Sequence, residues 1–270
     1  MIRSLWTAAS GMISQQNNVD TISNNLANIN TVGYKKESAQ FKSLLYQTIQ
    51  EQSYDNTGEP KPYGIQVGLG VRTASIASQY TQGSISETGN DFDLAITGKG
   101  FFMVQTPSGE TAYTRNGAFQ LAAGVDSFML ATAEGYPVLD INGQPIMIDD
   151  NYAATDIIIN EQGELIYQTS ENETIYSGVR IGLAQFNNPS GLEKIGGSLL
   201  KQTDASGTAR IEAYDASLER SGIKQGALEA SNVQAIDEIV NLIVAQRAYE
   251  MNSKVITASD EMLQQANNLR

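Results

Sequence analysis

Each end of the chain carries an apolar stripe in heptad phase, and the residues between them are patterned for β-structure. Near the start, Leu5, Ala8, Met12, Gln15, Val19, Ile22, Leu26 and Ile29 recur at alternating steps of three and four. Near the end, Val244, Ala248, Met251, Val255, Ala258, Met262, Gln265 and Leu269 keep the same spacing. A stripe of this kind runs along one side of an α-helix and has to be buried against another helix. The two ends are therefore expected to pair with each other or with neighbouring copies, while the middle forms a separate body. The pattern predicts an α+β fold, with paired, coiled-coil-like terminal helices and a central antiparallel β-rich domain.

The first helix is expected to start at a Ser4 cap and run to about Asn30. A Thr31-Val32-Gly33-Tyr34 turn follows, with Gly33 able to take a left-handed conformation. Gly11 and several Asn residues lower its propensity, so packing has to stabilise it. The last helix opens on Ser231-Asn232-Val233-Gln234, the spacing of a capping box. Val233, Ile236 and Val240 lead into the main stripe with an extra step of four. Glu250 and Lys254 are spaced as an i,i+4 ion pair.

Phe41, Leu44, Leu45 and Ile49 form a short second stripe, helical or extended. Residues 50–70 are polar and rich in Gly and Pro (Gly58, Pro60, Pro62, Gly64, Gly68, Gly70), which reads as a long irregular stretch. From Phe92 to Leu200, turn signals at Pro107-Ser108-Gly109, Asn116-Gly117, Glu134-Gly135 and Asn142-Gly143 separate short runs of β-formers. Asn-Gly between such runs is a hairpin signal. The organisation predicted is a terminal helical assembly domain from residues 1–34 and 229–270, a connecting segment over 35–75, and a β-rich outer domain over 76–228.

Charge and composition exclude several classes of function. The net charge is −13, of which residues 1–50 contribute +2, residues 229–270 contribute −3, and the middle −12. An acidic body argues against a nucleic acid or an anionic lipid surface as partner. Histidine and cysteine are both absent. Disulfides, Cys–His dyads, triads with a His base and the usual zinc sites are thereby excluded. The N-terminus lacks a charged region followed by an unbroken apolar run, so no Sec-type signal is read. No run reaches the roughly 18 apolar residues of a membrane helix, and direct membrane insertion is not expected.

Carboxylate pairs remain as candidates for catalysis: Asp91/Asp93, Asp149/Asp150 and Asp237/Glu238. Neighbouring acids in turns and at helix starts are usually solvated or favoured by the helix dipole. Gly98-Lys99-Gly100-Phe101 lacks the remaining glycine and following helix of a nucleotide loop. Asp140-Ile141-Asn142-Gly143 lacks the full EF-hand spacing. Asn172-Glu173-Thr174 is a three-residue glycosylation match of low specificity. No catalytic, metal-ligating or cofactor-binding residue is assigned.

The helices carry uncharged amides where a solvent face ordinarily carries Lys and Glu. Gln16, Asn17, Asn18, Asn24, Asn25 and Asn28 mark the first, and Gln264, Gln265, Asn267 and Asn268 the last. A neutral face suits packing against further subunits or lining a conduit, where fixed charge would be desolvated. Assembly is thus favoured over purely internal packing. The expected interface comprises Leu5, Met12, Val19, Ile22, Leu26 and Ile29 with Val244, Ala248, Met251, Val255, Ala258, Met262 and Leu269.

Three separated blocks resemble the bacterial flagellar axial proteins of rod and hook. The first runs from Ser23 through Asn24, Asn25, Leu26, Ala27 and Asn28 to Gly33, Tyr34 and Lys35. The second is Asp93–Phe102 together with Tyr113-Thr114-Arg115-Asn116-Gly117. The third runs from Ser231 through Gln246, Arg247, Ala248, Tyr249 and Glu250 to Lys254. Residues 120–225 are less distinctive. Leu44–Ile49 and the polar stretch leading to Gly64–Gly70 resemble the extra segment of distal rod subunits, which hook proteins generally lack. The proximal rod paralogue is the main competitor within the family.

The resemblance implies a structural subunit with no reaction and no cofactor. It implies helical self-polymerisation into a tubular drive shaft and export through the flagellar type III apparatus. Implied partners are identical subunits, proximal rod proteins, hook protein and, where an outer membrane exists, a ring bushing. The 50–70 stretch is expected to lock adjacent subunits and oppose bending. The rival from another class is a carboxylate-dependent cell-wall hydrolase acting through Asp93 or Asp149, and a third is a secreted adhesin.

Overall fold

The computed structural model describes residues 2–50, 64–123, 127–149, 156–168 and 174–268. The chain separates into two compact units, one made of residues 1–27, 37–78 and 234–270, the other of residues 28–36 and 79–233.

The first unit contains both helices, α1 (Ile2–Ala27) and α2 (Ala235–Asn268), with strands β1 (Glu37–Ser43), β2 (Tyr46–Gln50), β3 (Ile65–Gly68) and β4 (Val71–Ser78). Strand β1 pairs with β4 and β2 with β3, both antiparallel. The helices are 26 and 34 residues long, or about 39 and 51 Å. They lie antiparallel in heptad register. The Ser4 and Ser259 hydroxyls are 3.3 Å apart, a Cβ on Gly11 would come within 2.9 Å of Asn252 Nδ2, and Asn25 Nδ2 donates to Glu238 Oε2 at 3.0 Å. A seven-residue step forward on α1 is matched by seven back on α2. The buried residues of the pair are small or polar: Ala8, Ser14, Thr21 and Asn25 with Ile22 on α1, and Glu238, Ala245 and Ser259 on α2. Gly11 lets Asn252 approach closely, because any side chain there would displace it.

The helices thus meet, but one residue out of step with the apolar stripes read from the sequence. The contact on α2 passes through Ala245, Asn252 and Ser259, whereas the stripe passes through Val244, Met251, Val255 and Ala258. Other expectations need correction. Helix α1 is already formed at Ile2, so Ser4 is interior, and it ends at Ala27, leaving Ile29 in the turn that follows. Helix α2 begins at Ala235; no capping box forms, and the Ser231 hydroxyl accepts from the Val233 amide at 3.3 Å. Phe41–Ile49, read as helical or extended, is extended, whereas residues 65–68, expected to be irregular, form β3. Gly58, Pro60, Pro62, Asp150, Asn172 and Glu173 lie outside the described residues, as does Leu269.

The second unit is built of antiparallel strands: β5 (Ile85–Glu87), β6 (Leu94–Thr97), β7 (Phe101–Gln105), β8 (Thr111–Thr114), β9 (Phe119–Ala123), β10 (Ser127–Thr132), β11 (Met147–Asp149), β12 (Ile157–Ile159), β13 (Glu164–Gln168), β14 (Thr174–Arg180), β15 (Leu183–Gln185), β16 (Glu193–Gly196), β17 (Leu199–Lys201), β18 (Arg210–Ile211), β19 (Gly222–Gln225) and β20 (Ala227–Glu229). Its largest sheet has the order β16-β17-β8-β7-β15-β18, flanked by β11-β10-β9, β12-β13-β14 and the pairs β19-β6 and β20-β5.

Strand β7 shows why this sheet is central. Side chains alternate across a strand, and both faces of Phe101-Phe102-Met103-Val104 are buried. Phe102 and Val104 enter a core with Leu94, Phe119, Leu130, Ile146 and Ile181. Phe101 and Met103 enter a second core with Tyr113, Leu139, Phe186 and Leu200. Edge-to-face ring pairs fix the aromatic geometry, Phe102–Phe119 at 5.0 Å and Tyr113–Phe186 at 4.8 Å. The Pro107-Ser108-Gly109 turn joins β7 to β8 as a hairpin. Asn116-Gly117 does not. Strand β8 pairs with β7 and β17, β9 pairs with β10, and the Asn116 side chain instead accepts from the Ala118 amide at 3.0 Å.

Candidate assembly surface and its buried anchors

Helix α2 leaves most of its apolar stripe uncovered. Val244 is 63% exposed and Met251 62%, and Val255 and Met262 are also exposed. Ile236, Ile239, Val240 and Ile243 extend this surface toward the start of the helix. Ala258 is exposed and Ala248 half-buried. On α1, Leu5, Met12, Val19 and Leu26 are half-buried, Ile22 is buried, and Trp6 and Ile13 stand out at 72% and 63% exposure. Exposed aliphatic rows of this length mark interaction surfaces more often than solvent faces.

The motif residues serve turns and junctions. Asn24 Nδ2 donates to Glu37 Oε2 at 3.3 Å. Asn25 Nδ2 donates to the Glu37 carbonyl at 2.8 Å and to Glu238, while its Oδ1 accepts from the Glu37 amide at 2.8 Å. One side chain thereby joins the last turn of α1, the start of β1 and the first turn of α2. Ala27 closes α1, and Asn28 accepts from Thr31 through both its carbonyl and its side chain. Gly33 has φ +68°, and its amide donates to the Glu229 carbonyl at 2.8 Å. The Tyr34 ring lies 5.6 Å from the Lys194 ammonium. On α2, Arg247 pairs with Glu250 at 2.8 Å, replacing the Glu250–Lys254 pair expected from spacing, and Tyr249 is exposed.

A buried ion cluster escaped the sequence reading. Glu229, 1% exposed at its side chain, accepts from Lys35 Nζ at 2.6 Å, Arg115 Nη1 at 3.2 Å and the Gly83 amide at 2.9 Å. Lys35 also donates to the Thr81 carbonyl, Arg115 to the Gly98 carbonyl, and the guanidinium lies 5.0 Å from the Phe101 ring centre. Burial pushes Lys35 and Arg115 below their ordinary pKa values, and the Glu229 carboxylate pulls both back up. Two motif blocks had drawn attention to Lys35 and Arg115, but not to their shared partner. A signal was available: in Ala227-Leu228-Glu229, strand alternation puts the glutamate on the same side as the buried Ala227.

Of the carboxylate candidates, Asp93 and Glu238 hold structural contacts. Asp93 is buried and accepts from the Thr88 hydroxyl at 2.5 Å and Asn90 Nδ2 at 3.1 Å. Glu238 binds Asn25, Asp237 is exposed in the first turn of α2, and Asp149 is exposed. The second unit has a cleft of about 1180 Å³ lined by Tyr80, Lys99, Glu161, Glu219, Arg220 and neighbours, and neither Asp93 nor Asp149 lines it. Among the described residues, no three Asp or Glu side chains are grouped to hold a metal ion. No described helix is long and apolar enough to cross a membrane.

Two long helices from opposite ends of the chain pack antiparallel, α2 keeps an uncovered apolar stripe, and a separate unit is β-rich, as suits a structural subunit. Residues 5–35 match the family model for flagella basal body rod proteins, residues 95–167 that for the flagellar hook protein FlgE/F/G D1 domain, and residues 224–269 that for the flagellar basal body rod FlgEFG protein C-terminal region. Flagellar basal-body rod protein FlgG of Caulobacter vibrioides is 45% identical, with all of both chains covered. FlgG of Borreliella burgdorferi is 43% identical over all of this chain and 99% of its own. Flagellar hook-basal body complex protein FlhP of Bacillus subtilis is 35% identical over both full lengths. The chain belongs to the flagellar basal-body rod protein family. It is a structural subunit of the bacterial flagellar rod, where it assembles with other rod and hook components.

Proposed function

We propose that the chain builds the distal rod, polymerising helically into a rigid tube that carries torque and conducts exported subunits. The observation that carries this reading is the uncovered stripe of α2. In a single chain Val244, Met251 and Val255 face water, although their heptad spacing suits them to a helical partner. A second copy supplies that partner. A head-to-tail contact that does not close on itself then propagates as a filament. Residues 1–34 and 229–270 act as the assembly domain, 35–75 as a connecting segment and 76–228 as the outer domain. The partners proposed are identical subunits, proximal rod proteins, hook protein and, where an outer membrane exists, a ring bushing.

Export through the flagellar apparatus without a Sec signal, to an extracytoplasmic position, belongs to the same reading. The chain needs no reaction and no cofactor for this role. Full-length identity of 43–45% to relatives named FlgG supports this reading. Electron microscopy of the purified chain, concentrated until it polymerises, tests the proposal. Straight tubes support it; curved hook-like filaments, or material that stays monomeric, refute it.

A further inference from the structure

We propose that Glu229 is a completion lock for the β unit: without its carboxylate, Lys35 and Arg115 hold the incomplete core open. The three residues come from distant parts of the sequence, Lys35 lying 194 positions and Arg115 114 positions from Glu229. All three side chains are at most 4% exposed. Apart from Glu229, Lys35 donates to the neutral carbonyl of Thr81 and Arg115 to that of Gly98. Arg115 Nε is buried and has no hydrogen-bond partner among the described residues.

Glu212 is the other buried carboxylate acting on Arg115, and it does so only through space. Its oxygens are committed to Gln185 Nε2, the Ser221 amide and the Ser221 hydroxyl, each at 2.8 Å. It cannot take over from Glu229. Removing one member of a buried ion cluster leaves an uncompensated charge, which costs far more than removing every member together. Any partly folded form that buries Lys35 or Arg115 before Glu229 arrives carries that cost. Consolidation of β6, β7 and β8 is therefore tied to the joining of residues 28–36 with β20. The Gly33 amide on the Glu229 carbonyl draws the same two stretches together, and the Gly83 amide on its carboxylate adds the residues before β5.

Hydrogen exchange of the β6–β8 amides in the full chain tests this, independently of any polymerisation. Glu229→Gln keeps size and an acceptor but removes the charge, and amide protection is expected to fall about a hundredfold or more. Glu229→Leu combined with Lys35→Met and Arg115→Met removes every member. Protection is then expected to return to within about tenfold of the parent chain. Two results overturn the proposal: Glu229→Gln as well protected as the parent, or the triple variant as poorly protected as Glu229→Gln. The triple variant decides the matter even if Glu229→Gln does not fold.

Discussion

Asn25 and Glu37 exchange two hydrogen bonds, the Glu37 amide donating to Asn25 Oδ1 and Asn25 Nδ2 to the Glu37 carbonyl, both at 2.8 Å. This is the pairing that two strand residues make, supplied here by a side chain. The same Nδ2 meets Glu238 at the start of α2. Asn25→Ala should remove both bonds to the half-buried Glu37 backbone and cost about 1–3 kcal/mol. Asn25→Asp should cost more, because it sets a carboxylate against Glu238. Urea unfolding followed by helical ellipticity checks both, and equal stability of the Asp and Ala variants would count against the Glu238 contact.

Gly33 is fixed by conformation and by space. Its φ of +68° disfavours any side chain, and a Cβ would lie 2.6 Å from the Arg115 carbonyl carbon and 2.8 Å from the Asn116 amide. These are backbone atoms and cannot swing aside. Gly33→Ala should therefore destabilise the β unit by about 3 kcal/mol or more. The shift in denaturation midpoint of the near-ultraviolet aromatic signal reads this directly.

Much of this was legible in the sequence, for reasons particular residues show. Heptad spacing gave both helices, and Pro107-Ser108-Gly109 gave the β7–β8 hairpin, because each is a local signal. The helix ends were misread because Asn25 and Glu37 settle where α1 stops, and that pairing spans a turn. Asn116-Gly117 was misread because a short dipeptide does not reveal that β8 continues its sheet with β17. The packed face of α2 was hidden for a different reason. Hydrophobicity identifies Val244 and Met251, but the chain's own partner helix selects the small side chains of Ala245 and Ser259 for close approach. Glu229 was missed because its partners are more than a hundred residues away.

Asp215 supplies a pH-dependent prediction. Hydrogen bonds from the Ser217 side chain, together with Arg210, pull its pKa from the ordinary 3.8 down to about 2. Between these values the unfolded chain holds a proton that the folded chain has released. Stability therefore rises with pH through this window. The contribution is fully present above about pH 4 and is lost as pH falls toward 2. Asp215→Asn should flatten that part of the acid unfolding profile, lowering stability at neutral pH and bringing the variant level with the parent as pH falls toward 2. Exchange of the Ser217 amide, which donates to Asp215 Oδ1 at 3.0 Å, offers a local readout.

The two sides of α2 make the last prediction, and they separate self-packing from assembly. Met251 and Val244 are exposed in the single chain, so Met251→Gln and Val244→Gln should shift the stability of dilute monomer by no more than about 0.5 kcal/mol. If a neighbouring copy buries them, each loses part of the roughly 1.5–3 kcal/mol that burial of such a side chain contributes. A loss of about 1.4 kcal/mol raises the concentration needed for polymerisation tenfold. Ala245 faces α1 and is only 1% exposed. Ala245→Gln should overpack that contact and destabilise the monomer by about 1–3 kcal/mol. Sedimentation across a concentration series, paired with thermal unfolding of dilute chain, distinguishes the two. Met251→Gln polymerising at the parent's concentration would remove the exposed stripe from the assembly interface.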